Sequence, residues 1–410
     1  MKRSSVLTLV ATLVAGLTPL QAQAPKVSGL VQVWYTQMMN NSLRLNGQAP
    51  AAIRYYNLRS EFQENTFAIR RSELKFSGSV TDEVEYEVMI DPSIGTGSSN
   101  FLQDAAITWK GGFMDVKVGQ MKSFQTWEGL RSSGELITIE RAQMTRVFGD
   151  VRDRGIAAIV PFGDAKGFGG RFVVGFFNGT SGATAKTNDV NAQKDFVGRV
   201  EFNSGSEHSF GFYTLMGTTD FTDKGGLVAR TFAGGAAAPT AAQVLDNKDK
   251  TSNYGAYYVF QTSQWHLAAE GMTGLLGRRF ASVNTVAGAA ARQHLDQKFL
   301  GVALTAAYTT GNHTFVGRYD RINYNQGNKW YTAFNPYTES AVGVSTGNDF
   351  TPTFTEVTVG YLYAFKPEKV KAANFKLNYV LRSKNFLAPI AGQTGEQGGN
   401  TLVAAFQVAF

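Results

Sequence analysis

Apolar and polar residues alternate with a period of two through most of this chain, and few folds tolerate that. In VEYEVMID, Val84 to Asp91, the residues Val84, Tyr86, Val88 and Ile90 share one face of an extended strand. Glu85, Glu87 and Asp91 share the other. A strand sends successive side chains to opposite faces, so this pattern is a half-buried strand and not a helix. The pattern returns in HTFVGRYD, which sets Phe315, Gly317 and Tyr319 against Val316, Arg318 and Asp320. KLNYVLRS puts Leu377, Tyr379 and Leu381 opposite Lys376, Asn378 and Arg382. Two folds fit one such strand. In a sandwich the apolar face meets a core; in a membrane barrel it meets lipid, and the charged face meets a wet lumen.

The connections separate the two. Short turns are expected at Thr81–Glu83, Gly111–Gly112, Gly163–Gly167, Asn203–Glu207, Thr262–Gln264, Gly311–Asn312 and Lys366–Ala373. Between them lie longer polar segments: Met38–Asn65, Pro92–Asn100, Lys122–Arg154, Gly179–Lys194, Gly217–Lys250, Leu275–Gln297, Asn325–Asp349 and Ser383–Gly399. Short and long connections alternate strictly, which gives 16 strands. A sandwich has no reason for that order. A bacterial outer-membrane barrel has one, because its periplasmic turns are tight and its external loops long. The fold expected is therefore all-β: a 16-stranded antiparallel transmembrane β-barrel. In TLVAAFQVAF the residues Leu402, Ala404, Phe406, Val408 and Phe410 share a face. A terminal aromatic after such alternation is similar to the signal read by the outer-membrane assembly machinery, which makes that machinery a partner through Phe410.

The N-terminus agrees. Lys2 and Arg3 precede an apolar run, Val6 to Leu17, and small residues follow in LQAQA, Leu20 to Ala24. That run is too short to span a bilayer as a helix and reads as a secretory signal peptide, residues 1–22, cut after Ala22. Residues 23–410 are the barrel, placed in the outer membrane after export, facing lipid and lipopolysaccharide. There is no cysteine, hence no disulfide framework. Without the signal peptide, 37 basic residues face 32 acidic ones, a balance too weak to imply nucleic acid. His208, His266, His294 and His313 show no metal-ligand spacing, and no hydrolase, zinc-protease or nucleotide-binding motif is present. Neither enzyme, metal nor cofactor is expected.

FAIRRSELKFSGSVTDEVEYEVMID, then FLQDAAI, VGQMKSF and EGLRSSGELITIERA, resemble the phosphate-selective porin (porin O and P) family. The likeness is densest from Phe67 to Gly155. It implies a 16-stranded, usually trimeric channel for small anions, phosphate-like among them. It also implies that the third external loop, here Ser123 to Arg154, folds into the lumen and narrows it. The residues agree: Leu136, Ile137, Ile139, Val147 and Phe148 are apolar, which a loop packed on an inner wall needs and a purely external one does not. Among them stand Arg131, Arg141 and Arg146, with Glu135, Glu140 and Asp150. Arginine suits an anion pore because its planar fork offers paired donors to an oxyanion and it is only weakly hydrated.

Within TFAIRRSELKFSG two arginines are adjacent, although a strand offers only alternate positions to one face. By parity Arg71 joins Glu73 and Lys75 on the lumen side, and Arg70 joins Leu74 outside. The resemblance puts both arginines at the anion site. For both to reach the lumen the strand must bulge; otherwise Arg70 meets a second subunit or a lipopolysaccharide phosphate. Asp104, in FLQDAAI, lies beside the anion site by the same resemblance. It would accept a hydrogen bond from a protonated phosphate or pair with a wall arginine. The pore candidates are thus Arg70, Arg71, Lys75, Asp104, Arg131, Arg141 and Arg146. One departure stands out. Members that select phosphate tend to place lysines on the constriction loop, where this chain has Gly134 and Glu135. That leaves a general, weakly selective porin as the alternative.

Overall fold

The computed structural model describes residues 24–39, 65–94, 101–164, 167–179, 193–219, 249–282, 293–323, 326, 353–383 and 400–410. The expected signal peptide lies outside the described residues, as does most of the long-loop sequence. The strands are β1 Lys26–Met38, β2 Thr66–Ser79, β3 Val84–Ile90, β4 Leu102–Lys110, β5 Asp115–Lys122 and β6 Arg152–Gly163. They continue with β7 Phe168–Phe177, β8 Asp195–Ser204, β9 His208–Thr219, β10 Asp249–Gln261 and β11 Trp265–Ser282. The last five are β12 Gln293–Thr310, β13 His313–Asn323, β14 Thr353–Ala364, β15 Ala373–Arg382 and β16 Thr401–Ala409. Each strand pairs with its sequence neighbours, and β1 pairs antiparallel with β16, so the sheet is a closed barrel. Closure leaves no edge, and every ladder has a partner. No described helix is long and apolar enough to cross a membrane.

The alternation sets which way each side chain points. Along β13 burial follows the parity of HTFVGRYD: Val316, Arg318 and Asp320 are buried inside, and Phe315 and Tyr319 are exposed outside. The outer face carries cross-strand aromatic contacts such as Phe202 against Phe210 and Phe375 against Phe406. Each such pair adds about 0.5–1.5 kcal/mol beyond its buried area. His208 and His313 bond the hydroxyls of Tyr258 and Tyr361 at 2.8 and 2.7 Å, which explains them as polar companions of aromatic residues.

All seven short turns fall where the sequence puts them. In the Gly311–Asn312 turn the backbone enters the left-handed region (φ +56° at Gly311), which glycine adopts without a Cβ clash. One long connection differs. The sequence reads Leu275–Gln297 as a loop, yet β11 continues to Ser282 and β12 begins at Gln293. A hairpin ladder can run on past the membrane rim, where polar residues are no obstacle to backbone pairing. Arg278 therefore lies on β11 and not in a loop.

Gly119, in the VGQ stretch, sits on β5 with φ +132°. A Cβ there would come within 2.2 Å of the Ala105 carbonyl oxygen and 2.8 Å of the Ala106 Cα. Both are backbone atoms of the paired strand and cannot swing aside. Gly119→Ala is expected to weaken the barrel locally by about 1–3 kcal/mol, the cost of a forbidden backbone conformation. The check is the temperature at which the folded form on a denaturing gel converts to the slower band, which should fall.

Candidate functional site

The two arginines of β2 are reconciled by a bulge. Arg71 pairs with Gln32 of β1, but the next pair is Ile69 with Val33, so Arg70 is an extra residue without a partner. An extra residue breaks the alternation and lets two neighbours reach the same side. Arg70 Nη2 donates to Glu140 Oε2 at 2.9 Å, and Arg71 Nη2 donates to Glu140 Oε1 at 3.5 Å. Arg71 also donates to Gln32 Oε1 at 2.7 Å, and the Arg70 guanidinium lies 5.1 Å over the Trp34 ring. Burial by itself would raise the Glu140 carboxyl. Arg71, Arg70, Arg146 and Arg141 outweigh it and hold the group well below the usual carboxylate range. Because its pKa is depressed, the clasp contributes fully above the ordinary carboxylate value. It is lost only as pH falls through the much lower folded-state pKa.

Glu140 belongs to the segment between β5 and β6, and the rest of that segment also bonds to barrel strands. At its start, Phe124 is buried with Met121 of β5 and with Ala157, Val173, Phe177 and Val197. The short helix α1, Trp127–Leu130, offers the backbone N–H groups of Trp127 and Glu128 to the Glu270 carboxylate of β11, at 2.6 and 3.3 Å. Lys376 of β15 donates to the Leu136 carbonyl at 2.5 Å, and Asn378 accepts from the Ile139 N–H at 2.7 Å. Gln407 of β16 donates to the Gly134 carbonyl at 2.9 Å. Ile139 is buried among Trp34, Val403 and Ala405, and Phe148 stacks on Phe299 of β12 with ring centres 3.8 Å apart. Within the segment, burial alone would raise the Asp150 carboxyl, but Arg141, Lys122 and Arg152 bring it down to about 2.

A second cluster centres on Glu356 of β14. Its carboxylate accepts from Arg318 Nη2 at 3.1 Å, Arg382 Nε at 3.0 Å and Arg146 Nη2 at 3.3 Å. Arg318 also donates to the Glu140 carbonyl at 2.6 Å. One wall acid thus gathers two wall arginines and one arginine of the β5–β6 segment, all buried.

The candidates read from the sequence separate into two groups. Arg70, Lys75 and Arg131 keep side chains 30, 37 and 44 % exposed. Lys75 bonds Glu87 at 2.5 Å, and Arg131 rests on the Trp127 ring and approaches Glu135 at 3.6 Å. Arg71, Arg141 and Arg146 are buried. Arg141, at 1 % exposure, donates to the Glu128 and Arg131 carbonyls and pairs with Asp150 at 3.1 Å. It pins its own segment, and Arg146 ties that segment to β14; neither is open to a solute. Asp104 accepts from Arg152 Nε at 2.9 Å, the wall pairing that was its alternative.

The phosphate-selective porin O and P family matches residues 45–408, nearly the whole chain. The chain belongs to that family. No curated protein matches it. Among solved structures, the porin is similar to the outer membrane channel DcaP of Acinetobacter baumannii (12 % identity, TM-score 0.57, 94 % of this chain and 97 % of that one). It is also similar to an anion-selective porin from Comamonas acidovorans (11 % identity, TM-score 0.51, 94 % and 99 %). A third is the trimer form of OmpT from Vibrio cholerae (10 % identity, TM-score 0.50, 95 % and 100 %). At such identities the likeness establishes the fold. Family and fold together make the porin an outer-membrane channel. Several residues at its centre escaped the sequence reading. Trp34, Gln32 and Gln407 look like ordinary strand residues, and Glu128, Glu270 and Glu356 like solvated acids. The acids Glu135, Glu140 and Asp150 among the segment's arginines are the sequence signal that it carries its own counter-charges.

Proposed function

We propose that this porin is a passive channel for small anions with a modest preference, and that the segment Ser123–Arg154 folds into the lumen as its constriction. Bonds from that segment to β2, β11, β14, β15 and β16 support the second part, because strands so far apart around a closed ring meet only across its interior. The observation that carries the first part is the bulge at Arg70. It brings a second guanidinium to the level of Arg71 and leaves it partly open to solvent. A fixed cation in a narrow, wet passage replaces part of an anion's hydration shell.

Strong phosphate selectivity has less support. Arg71, Arg141, Arg146, Arg318 and Arg382 are buried and occupied by protein acids or carbonyls, and Arg70, though partly exposed, is paired with Glu140 as well. A guanidinium already satisfied by carboxylates has little to offer a multiply charged oxyanion. The similarity to an anion-selective porin and to a trimeric one agrees with an anion preference and with a homotrimer. Removal of residues 1–22 and engagement of the assembly machinery by Phe410 belong to the same reading.

The test is the reversal potential of the purified porin across a planar bilayer in a potassium chloride gradient, followed by added phosphate. The expected result is an anion-selective potential with no block of chloride current at millimolar phosphate. Block in that range would move the porin to the phosphate-specific channels. A potential near zero would make it a general diffusion porin, and a cation-selective one would overturn the proposal.

A further inference from the structure

We propose that the short-turn mouth of this porin holds a binding site for a small carboxylate anion with an apolar body. The site is the cavity between the stretch Arg131–Ile137 and the turn Glu368–Ala372, about 590 Å³ in volume. That volume suits a small organic molecule. Its lining is unusual for a porin, whose interior is normally polar. Leu136, Ile137, Leu362 and Val370 line it beside Arg131 and Lys371. A bare oxyanion such as phosphate gains nothing from four aliphatic side chains, whereas an aromatic or branched carboxylate does.

Two accessible cations offer an anion a partner. Arg131 and Lys371 both lean on one acid, Glu135, at 3.6 and 3.4 Å. Lys369, Glu368 and the last residue, Phe410, line the same cavity. The two cations that share Glu135 are half-exposed and exposed, so an incoming carboxylate reaches them without dismantling a buried network. Arg131 is held in place by the Trp127 ring, which turns its fork into a preset partner for a planar carboxylate. Glu135 is then the competitor that the ligand displaces. The substrate class named here rests on the anion-channel reading, while the cavity and its lining do not.

The experiment titrates the purified full-length porin with benzoate, acetate and inorganic phosphate by calorimetry. In parallel it records the same anions as blockers of chloride current. Benzoate is expected to bind about tenfold more tightly than acetate, as transfer of a ring into an apolar site requires at least that. Glu135→Gln should tighten benzoate binding, a gain that misfolding does not imitate. Arg131→Gln should weaken benzoate and acetate alike, and Ile137→Ser with Val370→Ser should abolish only the difference between them. Benzoate no tighter than acetate, or a Glu135→Gln porin with unchanged affinity, overturns the site. Anion-selective current without benzoate binding sinks this site and spares the proposed function. Benzoate binding in a porin without anion preference does the reverse.

Discussion

Replacing Glu356 by alanine is expected to loosen the Arg146 end of the β5–β6 segment from the β13–β15 wall. Glu356 is the common acceptor of Arg146, Arg318 and Arg382, and all four side chains are buried. Removing one partner from a buried ion pair costs about 3–5 kcal/mol, because the remaining charge stays desolvated and uncompensated. Here three guanidinium groups are left facing one another. Asp320, 3.5 Å from Arg318 Nε, is the nearest acid and cannot serve all three. The segment should leave the wall sooner than the barrel opens, since the barrel is held by sixteen backbone ladders that a change of the Glu356 side chain leaves in place. Two measurements check this. Single-channel conductance should rise and become noisy, and trypsin should cut after Arg131, Arg141 or Arg146 in membranes where the parent resists. If conductance and protease resistance both stay at parental values, the cluster does not hold the segment.

Glu140→Gln should act on selectivity more than on fold. The amide keeps the shape and an acceptor oxygen, but Arg70 and Arg71 lose their shared negative charge. An interaction change of about 1 kcal/mol on a passing ion, modest for charges a few ångströms apart at an effective dielectric near 20, is about fivefold in relative permeability. The reversal potential in a potassium chloride gradient should therefore move toward the chloride value. A shift the other way would mean that Glu140 positions the arginines and that their charge does not act on the ions.

Much of this fold could be read from alternation alone, because the outer and inner faces impose opposite polarity and both leave a mark. β13 shows how far that goes: the faces assigned from HTFVGRYD are those observed. The failures have physical causes. β11 and β12 overrun their expected ends since polarity stops marking a strand once it leaves the bilayer. Parity put Arg70 outside, and a bulge leaves no trace in composition except the oddity of RR itself. What the sequence does not show is how Arg141 and Arg146 are paired, because a free guanidinium and one bound to a carboxylate look alike there. Their partners, Asp150 and Glu356, lie 9 and 210 positions away along the chain. Nothing short of the folded ring brings Glu356 to Arg146.

A regular strand rises about 3.3 Å per residue, so it presents an inward side chain only about every 7 Å along its length. The extra residue at Arg70 lifts that limit at one level. Charge density along the axis rises there without another strand and without a wider circumference. The width of the barrel and the strength of its field become separate variables. A chain with this bulge can concentrate positive charge at one height and keep the bore that its strand number dictates.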